Sequence, residues 1–322
     1  MNSNAAVDRH LADQLLPFMA LAELALAEVK GNFLGSREVY FSPKSFTPEN
    51  RLVDIGTAGS VTLFVQALLL PSLFSGKEVY LKVKGGTNVS FSPPAEAFSE
   101  AFFPLIEKMN AFAGLKILKR GYYPKGQGLV EFSCKPCTGL KAINLTDKGQ
   151  LKKIKIYSTS ASLPEHVALN QFESAKKYLV EKGVEEKLIE GIIEQNTNPS
   201  SIGSSISCLA FYENSVLEGN ALGAIGKPAE KVGLEAAESL WREMNSNAAV
   251  DRHLADQLLP FMALAEGASS LLVPELTSHV QTSIEVLEKF LPVKFSVEEL
   301  KSNYLISVKG IAFMQLETRT RA

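Results

Sequence analysis

The sequence predicts a mixed α+β fold, and three observations predict it. Segments with strand and helix character alternate from about residue 37 to 151 and again from about 250 to the C-terminus. Clusters of Gly, Pro and Ser separate these segments, notably at 42–49, 85–94 and 121–128. A length of 322 residues, with 46% hydrophobic and 21% charged residues, is typical of a globular chain of about two domains.

The first part of the chain predicts an order of about βαβαββ. A glycine-containing turn before residue 61 and good helix formers after it indicate the first helix. We expect strands at Glu38–Phe41, 78–83, 115–119 and 128–133, with helices over 61–74 and 95–113.

Residues 152–243 have a different character and predict an inserted αβ domain. Here we expect a strand at 153–158, helices at 165–182 and 185–195, a strand at 204–212, and a helix at 229–244 that Pro228 opens. After this segment, helices over 250–266 and 281–291 and strands at 270–274, 293–296 and 304–312 again approximate a βαβαββ unit.

An exact repeat divides the chain further. Residues 1–23, MNSNAAVDRHLADQLLPFMALAE, recur unchanged at 244–266, after which the two copies diverge at once. Such identity indicates a recent duplication, a recombination or cloning event, or a faulty gene model. The first copy predicts an amphipathic helix that Pro17 interrupts and that resumes over Met19 to Val29. Since only one copy can occupy the native groove, we divide the chain into a duplicated helical segment, 1–23, a core, 24–151 and 244–322, and the insert, 152–243.

Composition excludes several classes of protein. The net charge of -2 lacks the basic excess of proteins that grip long nucleic acids, so a nucleic-acid substrate would be held locally, near an end. Three cysteines are too few for a disulfide framework and fit a reducing compartment. No clean apolar run of about 20 residues indicates a membrane span. Without a recognisable secretory signal, we expect a cytoplasmic location.

Histidines provide the first candidates for chemistry. His279 stands between a strand-like segment and an apolar helix, at an edge where catalytic groups are often displayed. His253 and Gln257 lie one helical turn apart, with Asp256 beside them, which suggests a helix end that faces a ligand. A capped, solvated first turn would explain these three residues almost as well. For His166, a solvated helix position is the better interpretation.

Three other motifs are individually weak. The pair Cys134 and Cys137 has the spacing of redox or zinc sites, but it closes a strand and has no second pair, so incidental thiols are favoured. The turn DIGTAGS at 54–60 could cradle a phosphate but matches no established glycine loop. The segment GYYPKGQG at 121–128 could stack on a nucleotide or form an ordinary hairpin turn.

Taken together, the ordered motifs resemble the RNA 3'-terminal phosphate cyclase family, in its archaeal type. The resemblance extends from residue 24 to about 313. It is carried by IGTAGSVTLFVQALLLP (55–71), GGTNVSFSPP (85–94), RGYYPKGQG (120–128), GKPAEKVGLEAA (226–237), VDRHLADQLLPFMALA (250–265) and SHVQTSIEVLEKFLP (278–292).

The resemblance implies both a fold and an activity. The implied fold has repeated βαβαββ units, like the C-terminal domain of translation initiation factor 3, with a smaller inserted αβ domain. The implied activity is an ATP-dependent ligase that converts an RNA 3'-phosphate to a 2',3'-cyclic phosphate and releases AMP and pyrophosphate. His279 matches the histidine that forms a covalent histidine–AMP intermediate. Free histidine has a pKa of about 6.5, so its neutral, nucleophilic form is abundant near pH 7.

The resemblance also implies a nucleotide site. The positions that match the family's ATP-binding residues are Gln66, His253, Leu254, Ala255, Asp256 and Gln257. We expect a divalent metal ion to neutralise the triphosphate, and Mg²⁺ is the ion that usually accompanies ATP. We assign no residue as its ligand. The expected partners are therefore ATP and an RNA 3'-phosphate end, with no membrane.

The sequence departs from the family pattern in three places. The N-terminal glycine-rich turn of GEGGGQ type is missing, and the duplicate of residues 244–266 stands in its place, which predicts impaired activity. Asn88 replaces a common Asp, and Gln127 replaces a Gly. Two competing hypotheses are a non-catalytic cyclase-like protein of ribosomal RNA processing, from which a nucleophile such as His279 would be absent, and an inactive recombined product.

Overall fold

The structure, a computed structural model, describes residues 28–30, 38, 40–42, 51–196 and 201–314. The duplicated segment 1–23 lies outside the described residues. The strands are β1 Glu28–Lys30, β2 Tyr40–Ser42, β3 Arg51–Asp54, β4 Val79–Gly85, β5 Ala113–Lys119, β6 Gly128–Cys134, β7 Asn144–Leu145, β8 Leu151–Ala161, β9 Ile189–Asn196, β10 Gly203–Tyr212, β11 Val216–Leu222, β12 Ala268–Val273, β13 Phe295–Glu299 and β14 Tyr304–Lys309. The α-helices are α1 Val61–Leu73, α2 Ala95–Ala97, α3 Phe103–Lys108, α4 His166–Glu181, α5 Ala229–Asn245, α6 Ala255–Leu264 and α7 Ser278–Phe290.

The first four-stranded sheet has the order β3-β4-β6-β5, with β3 parallel to β4 and the other neighbours antiparallel. Helix α1 packs on this sheet through β4 and β6. The side chain of Ser60 accepts a hydrogen bond from the Leu63 backbone N–H at 3.2 Å, which caps the helix start. Helices α2 and α3 are joined by the π-helical segment Phe98–Phe102.

The second sheet has the order β11-β10-β8-β9, and helices α4 and α5 pack against each other and against its strands. Its core is a separate cluster of buried side chains that includes Ile156, Ala175, Cys208 and Leu240.

The third sheet has the order β13-β14-β12-β7. Strand β12 pairs in parallel with β7 and antiparallel with β14, and β14 pairs antiparallel with β13. One hydrophobic core joins this sheet to the first: Leu69 of α1, Phe132 of β6, Leu258 of α6 and Ile306 of β14 belong to the same buried cluster. The rings of Phe102 and Phe261 meet edge to face at 5.6 Å within it.

The mixed α+β class is confirmed, and most predicted elements are present with shifted ends. Two predictions were wrong in type, one at residues 185–195 and one at Glu28 and Val29. Residues 185–195 were expected to form a helix, whereas a short 3₁₀ turn, Glu186–Leu188, leads into strand β9. Strand β9 pairs in parallel with β8 along its whole length, and this tertiary pairing outweighs the helix propensity of a Glu- and Lys-rich segment.

The sequence pattern also missed or misplaced several ends. Strands β3, β7 and β11 were not predicted, because each is short or begins directly after a turn. Glu28 and Val29, expected at the end of a helix, lie in β1, which pairs with β2. The helix expected over 250–266 begins only at Ala255.

Candidate active site

The turn before α6 is built on the buried carboxylate of Asp251. Its Oδ1 accepts hydrogen bonds from the backbone N–H groups of His253 and Leu254, each at 2.9 Å. A side-chain oxygen in this position satisfies two backbone N–H groups of the turn that leads into the helix. The capped turn therefore delays the helix start to Ala255 and fixes the backbone of His253.

His253, Asp256 and Gln257 lie together on this turn and the first turn of α6. His253 has an exposed side chain, and desolvation by the protein atoms on its inner side lowers its pKa, which favours the neutral ring. Burial raises the pKa of Asp256 to about 7. The Gln257 Nε2 donates to the His253 carbonyl at 2.8 Å, while its buried Oε1 has no hydrogen-bond partner among the described residues. Leu254 and Ala255 are buried and anchor the turn.

His279 is half-buried in the first turn of α7, directly after the loop that follows β12. The Thr277 Oγ1 accepts a hydrogen bond from the Val280 backbone N–H at 3.2 Å and caps the helix. The side chain of His279 is therefore displayed beside a helix N-terminus, where backbone N–H groups and the helix dipole favour an anion.

Two sets of contacts hold the His253 turn beside the His279 loop. The backbone N–H groups of Ala249 and Val250 both donate to the Leu272 carbonyl on β12, at 3.0 and 3.1 Å. The Arg252 guanidinium forms an ion pair with the buried Glu243 at the end of α5, and its Nη1 lies 3.1 Å from Glu275 Oε1 in the loop before α7. These contacts join the two segments, although their histidines are 26 positions apart in the chain.

The residues that make this connection were not predicted from the sequence. Arg252, Glu243 and Glu275 carry no local signal, because an ion pair between distant positions depends on the fold. Asp251 could have been found, since Asp is a preferred residue at a helix start and precedes the apolar run of α6 by a few positions.

Gln66 is connected to these residues less directly. It is half-buried on α1, and the neighbouring Val65 and Leu69 belong to the hydrophobic core that also contains Leu258 of α6. His253, Asp256 and Gln257 share one turn and helix start, bonded contacts join the segment before them to the loop before His279, and Gln66 lies on a helix that packs into the same core.

A comparison with protein families decides the relationship of this surface to known proteins. The profile described as RNA 3'-terminal phosphate cyclase matches residues 22–297, which include Gln66, the turn at 253–257 and His279. The chain belongs to the RNA 3'-terminal phosphate cyclase family.

Curated relatives agree with this assignment and are archaeal. Proteins named RNA 3'-terminal phosphate cyclase are 38% identical over 301 residues in Ignicoccus hospitalis, 40% over 280 residues in Archaeoglobus fulgidus and 41% over 287 residues in Methanosarcina barkeri. These alignments cover 92%, 87% and 89% of this chain and 85%, 82% and 83% of the respective relatives.

In this cyclase-family chain, the glycine-rich motifs pack against one another. The N–H of Gly56 donates to Asp54 Oδ1 at 2.9 Å, and the N–H of Gly59 donates to Thr57 Oγ1 at 3.1 Å, so neither is available to a phosphate. A Cβ added to Gly85 would lie 2.6 Å from the Gly59 carbonyl oxygen. The contacts favour a structural role for DIGTAGS over the phosphate cradle considered for it.

The motif GYYPKGQG also has a largely structural role. Tyr122 is buried, and its hydroxyl lies 2.6 Å from Thr159 Oγ1 on β8. Arg120 is buried in ion pairs with Glu96 and Glu194. Burial alone would lower the pKa of Arg120, but the two carboxylates outweigh it and raise the pKa. Tyr122 therefore cannot stack on a nucleotide, whereas Tyr123 is 77% exposed.

The remaining candidates lie away from this surface. Cys134 and Cys137 are free, buried thiols, and burial raises the pKa of Cys134 to about 12, which makes it a poor nucleophile. His166 is exposed at the start of α4, in agreement with a solvated helix position. The helices of the described residues include none with the length and apolar character that a bilayer crossing requires.

Proposed function

We propose that this chain is an ATP-dependent ligase that converts an RNA 3'-terminal phosphate to a 2',3'-cyclic phosphate, and that it acts in cytoplasmic RNA processing. The observation that carries the proposal is the junction of the His253 turn and the His279 loop through Arg252, Glu275 and the Leu272 carbonyl. This junction supports the proposal, because it joins the segment that leads into the candidate nucleotide-binding turn to the loop that precedes the candidate nucleophile.

The proposed chemistry uses His279 in the first step. A nitrogen of the neutral imidazole attacks the α-phosphorus of ATP, a P–N bond forms, and the bond to the β-phosphate oxygen breaks with release of pyrophosphate. An oxygen of the RNA 3'-phosphate then displaces the histidine from the AMP phosphorus. The adjacent 2'-hydroxyl finally loses its proton to water and attacks the activated 3'-phosphorus, and the bond from that phosphorus to the AMP oxygen breaks, which releases AMP. Only RNA carries this hydroxyl.

The residues around His253 fit ATP as a substrate. The buried Gln257 Oε1 has no hydrogen-bond partner among the described residues, so it can accept from a hydroxyl or amino group of the nucleotide. The neutral, exposed ring of His253 offers a face on which adenine can stack. Leu254 and Ala255 are buried and hold this turn, and we assign Asp256 and Gln66, a half-buried residue of α1, to the same site as further polar groups.

Mg²⁺ would assist this reaction by neutralising charge on the phosphates. In the part of the chain that the structure describes, no three His, Cys, Asp or Glu side chains form a metal-binding group. That is compatible with Mg²⁺, which binds through one or two carboxylates and substrate phosphates. We assign no residue of the chain as its ligand.

We also propose that the fold consists of repeated βαβαββ units, like those of the C-terminal domain of translation initiation factor 3, with 152–243 as an inserted domain. The strand order supports the repeat: in β3-β4-β6-β5 and in β7-β12-β14-β13, a parallel pair is followed by two antiparallel pairs. The separate buried cluster of the second sheet supports the insert.

We also propose that turnover is impaired, because residues 1–23, which precede most of the family match, contain no glycine. In the family pattern a glycine-rich turn contributes to the nucleotide and RNA-phosphate site, and the duplicated block at 1–23 does not reproduce its glycines. Poor positioning of the reacting phosphates lowers the rate of the chemical step even when the nucleophile is present.

The test is adenylylation of the protein without RNA. The chain is incubated with α-labelled ATP and Mg²⁺, and the label that remains on the denatured protein is measured and checked for acid lability. We expect acid-labile label on the unaltered chain and none on His279→Ala. His166→Ala is the matched control, because it removes an exposed histidine from the start of another helix.

The outcomes separate the hypotheses. Label that persists in His279→Ala would exclude His279 as the nucleophile. A cooperatively folded chain without label would favour the non-catalytic cyclase-like protein. A chain that neither takes label nor unfolds cooperatively would be the inactive recombined product.

A further inference from the structure

An open cavity lies next to the segments of the candidate active site and has the composition of a site for a nucleobase. It has a volume of about 580 Å³ and is lined by Tyr178 and Trp241, with Arg242, Asn245, Arg252 and Pro274. Cavities of about 300–1,000 Å³ accept ligands of nucleotide size.

The two aromatic side chains come from neighbouring helices. Tyr178 lies near the end of α4 and Trp241 near the end of α5, and both are half-buried at the edge of the second sheet's core. The Lys182 ammonium lies 5.2 Å from the centre of the Tyr178 ring. Partly buried aromatic rings at a cavity wall provide rigid faces on which unpaired bases can stack.

Polar groups in the same wall suit the rest of a nucleotide. Arg242 is exposed in the last turn of α5, and its guanidinium can contact a phosphate or stack on a base. The amide of Asn245 can donate and accept hydrogen bonds at a base edge. Glu238, which also lines the cavity, can accept from a base amino group but would repel a phosphate.

The position of the cavity connects it to the reaction. Arg252 immediately precedes His253, and Pro274 immediately precedes Glu275, the partner of Arg252 in the loop before His279. The cavity therefore adjoins both segments that carry the candidate histidines.

We propose that this cavity, which we call the Trp241 pocket, binds a nucleobase of the single-stranded RNA upstream of its 3'-phosphate end. The proposal rests on the proposed function, because it assumes an RNA substrate whose end lies near His279. Tyr178 and Trp241 stack on the base, and Arg242 contacts the backbone. A pocket that recognises unpaired bases would favour a single-stranded 3' end over a base-paired one.

The chain contains one tryptophan, so its emission reports directly on this pocket. The experiment titrates the full chain, without ATP, with a ten-nucleotide single-stranded oligoribonucleotide that has a 3'-phosphate. We expect the emission of Trp241 to be quenched by this probe but not by inorganic polyphosphate, which carries charge without bases. Emission that does not respond to the oligoribonucleotide would overturn the proposal.

Arg242→Ala provides the second measurement, because an exposed position tolerates substitution. We expect the RNA affinity to fall at least fivefold in Arg242→Ala. Lys231→Ala is the matched control, since it removes one positive charge from an exposed position at the other end of α5, and its affinity should change less than twofold. Equal losses in both variants would mean that RNA binds by general charge and would also overturn the proposal.

Adenylylation from α-labelled ATP, measured without RNA, separates the two proposals. Label that depends on His279 together with unchanged RNA binding in Arg242→Ala would refute the Trp241 pocket alone. Quenching of Trp241 without any adenylylation would refute the ATP-dependent mechanism and leave the RNA site in place.

Discussion

Gln127 has a backbone conformation that normally belongs to glycine. Its φ is +61°, next to Gly126 with φ +66°, in the turn that follows Tyr122. For an L-residue with a side chain, the left-handed region costs about 1–2 kcal/mol. The family resemblance predicts a glycine at this position, and the positive φ of Gln127 is a conformation that glycine adopts without this cost.

We predict that Gln127→Gly raises the free energy of unfolding. Removing the side chain relieves about 1–2 kcal/mol of backbone strain. The greater freedom of glycine in the unfolded chain offsets roughly 0.5–1 kcal/mol of this, so the expected net gain is about 0.5–1 kcal/mol. Urea denaturation measures it. Lys125→Gly, in the same turn but without a positive φ, should not stabilise the protein, and equal gains in the two variants would contradict the explanation.

Single residues also show how far the sequence predicts the site. His253 and His279 became candidates because polar groups beside apolar helices are conspicuous in a sequence. Arg252 was not found, because its partners, Glu243 and Glu275, come from separate elements. A charge whose role depends on tertiary neighbours has no pattern of its own.

At the scale of elements, α6 shows how a local cap and the core together set a helix. Asp251 fixes its start, and Leu258, Leu259 and Phe261 bury its inner face. The apolar pattern predicted this helix but not its first residue, since periodicity does not locate a cap. At β9 the pattern predicted a helix where the structure has a strand. Gly191 of this strand lies so close to the Phe172 ring that an added Cβ would be 2.5 Å from it. Such a contact between distant parts of the chain cannot be predicted from the local sequence.

We predict that Leu258→Ala destabilises the protein by about 2–5 kcal/mol, because the removed atoms leave a cavity in a fully buried position. Thermal or urea unfolding followed by circular dichroism measures the loss. Leu169→Ala on α4, where the side chain is 45% exposed, is the control and should cost less than about 1 kcal/mol. A similar loss at both positions would contradict the assignment of α6 to the core.

At the scale of the whole molecule, buried carboxyl groups lie where the second sheet meets the candidate site. Glu218 on β11 and Asp251 before α6 are both buried. Burial raises the pKa of each, and the negative charges of Asp251 on Glu218 and of Glu243 on Asp251 raise them further. The folded protein therefore binds protons more tightly than the unfolded chain does.

We predict that ionisation of Glu218 and Asp251 lowers the free energy of unfolding as the pH rises from about 4 towards neutrality. With more protons bound in the folded state than in the unfolded state, the free energy of unfolding falls with increasing pH until the carboxyl groups have ionised. Asp251→Asn should flatten this dependence, measured as the urea midpoint between pH 5 and 8. Asp147→Asn, which alters an exposed aspartate, should leave the slope unchanged. An unaltered slope in Asp251→Asn would show that Asp251 does not contribute.

The close approach of the glycine loops has a consequence for how such a chain is recognised. A Cβ added to Gly126 would lie 2.6 Å from the Thr57 carbonyl oxygen, and a Cβ added to Gly85 would lie 2.6 Å from the Gly59 carbonyl oxygen. A library of variants selected only for folding would therefore lose substitutions at these glycines, whatever its members catalyse. These glycines lie in the part of the chain that the family profile matches. Selection for folding alone therefore retains the residues by which the family is identified, even in a descendant that has lost catalytic turnover.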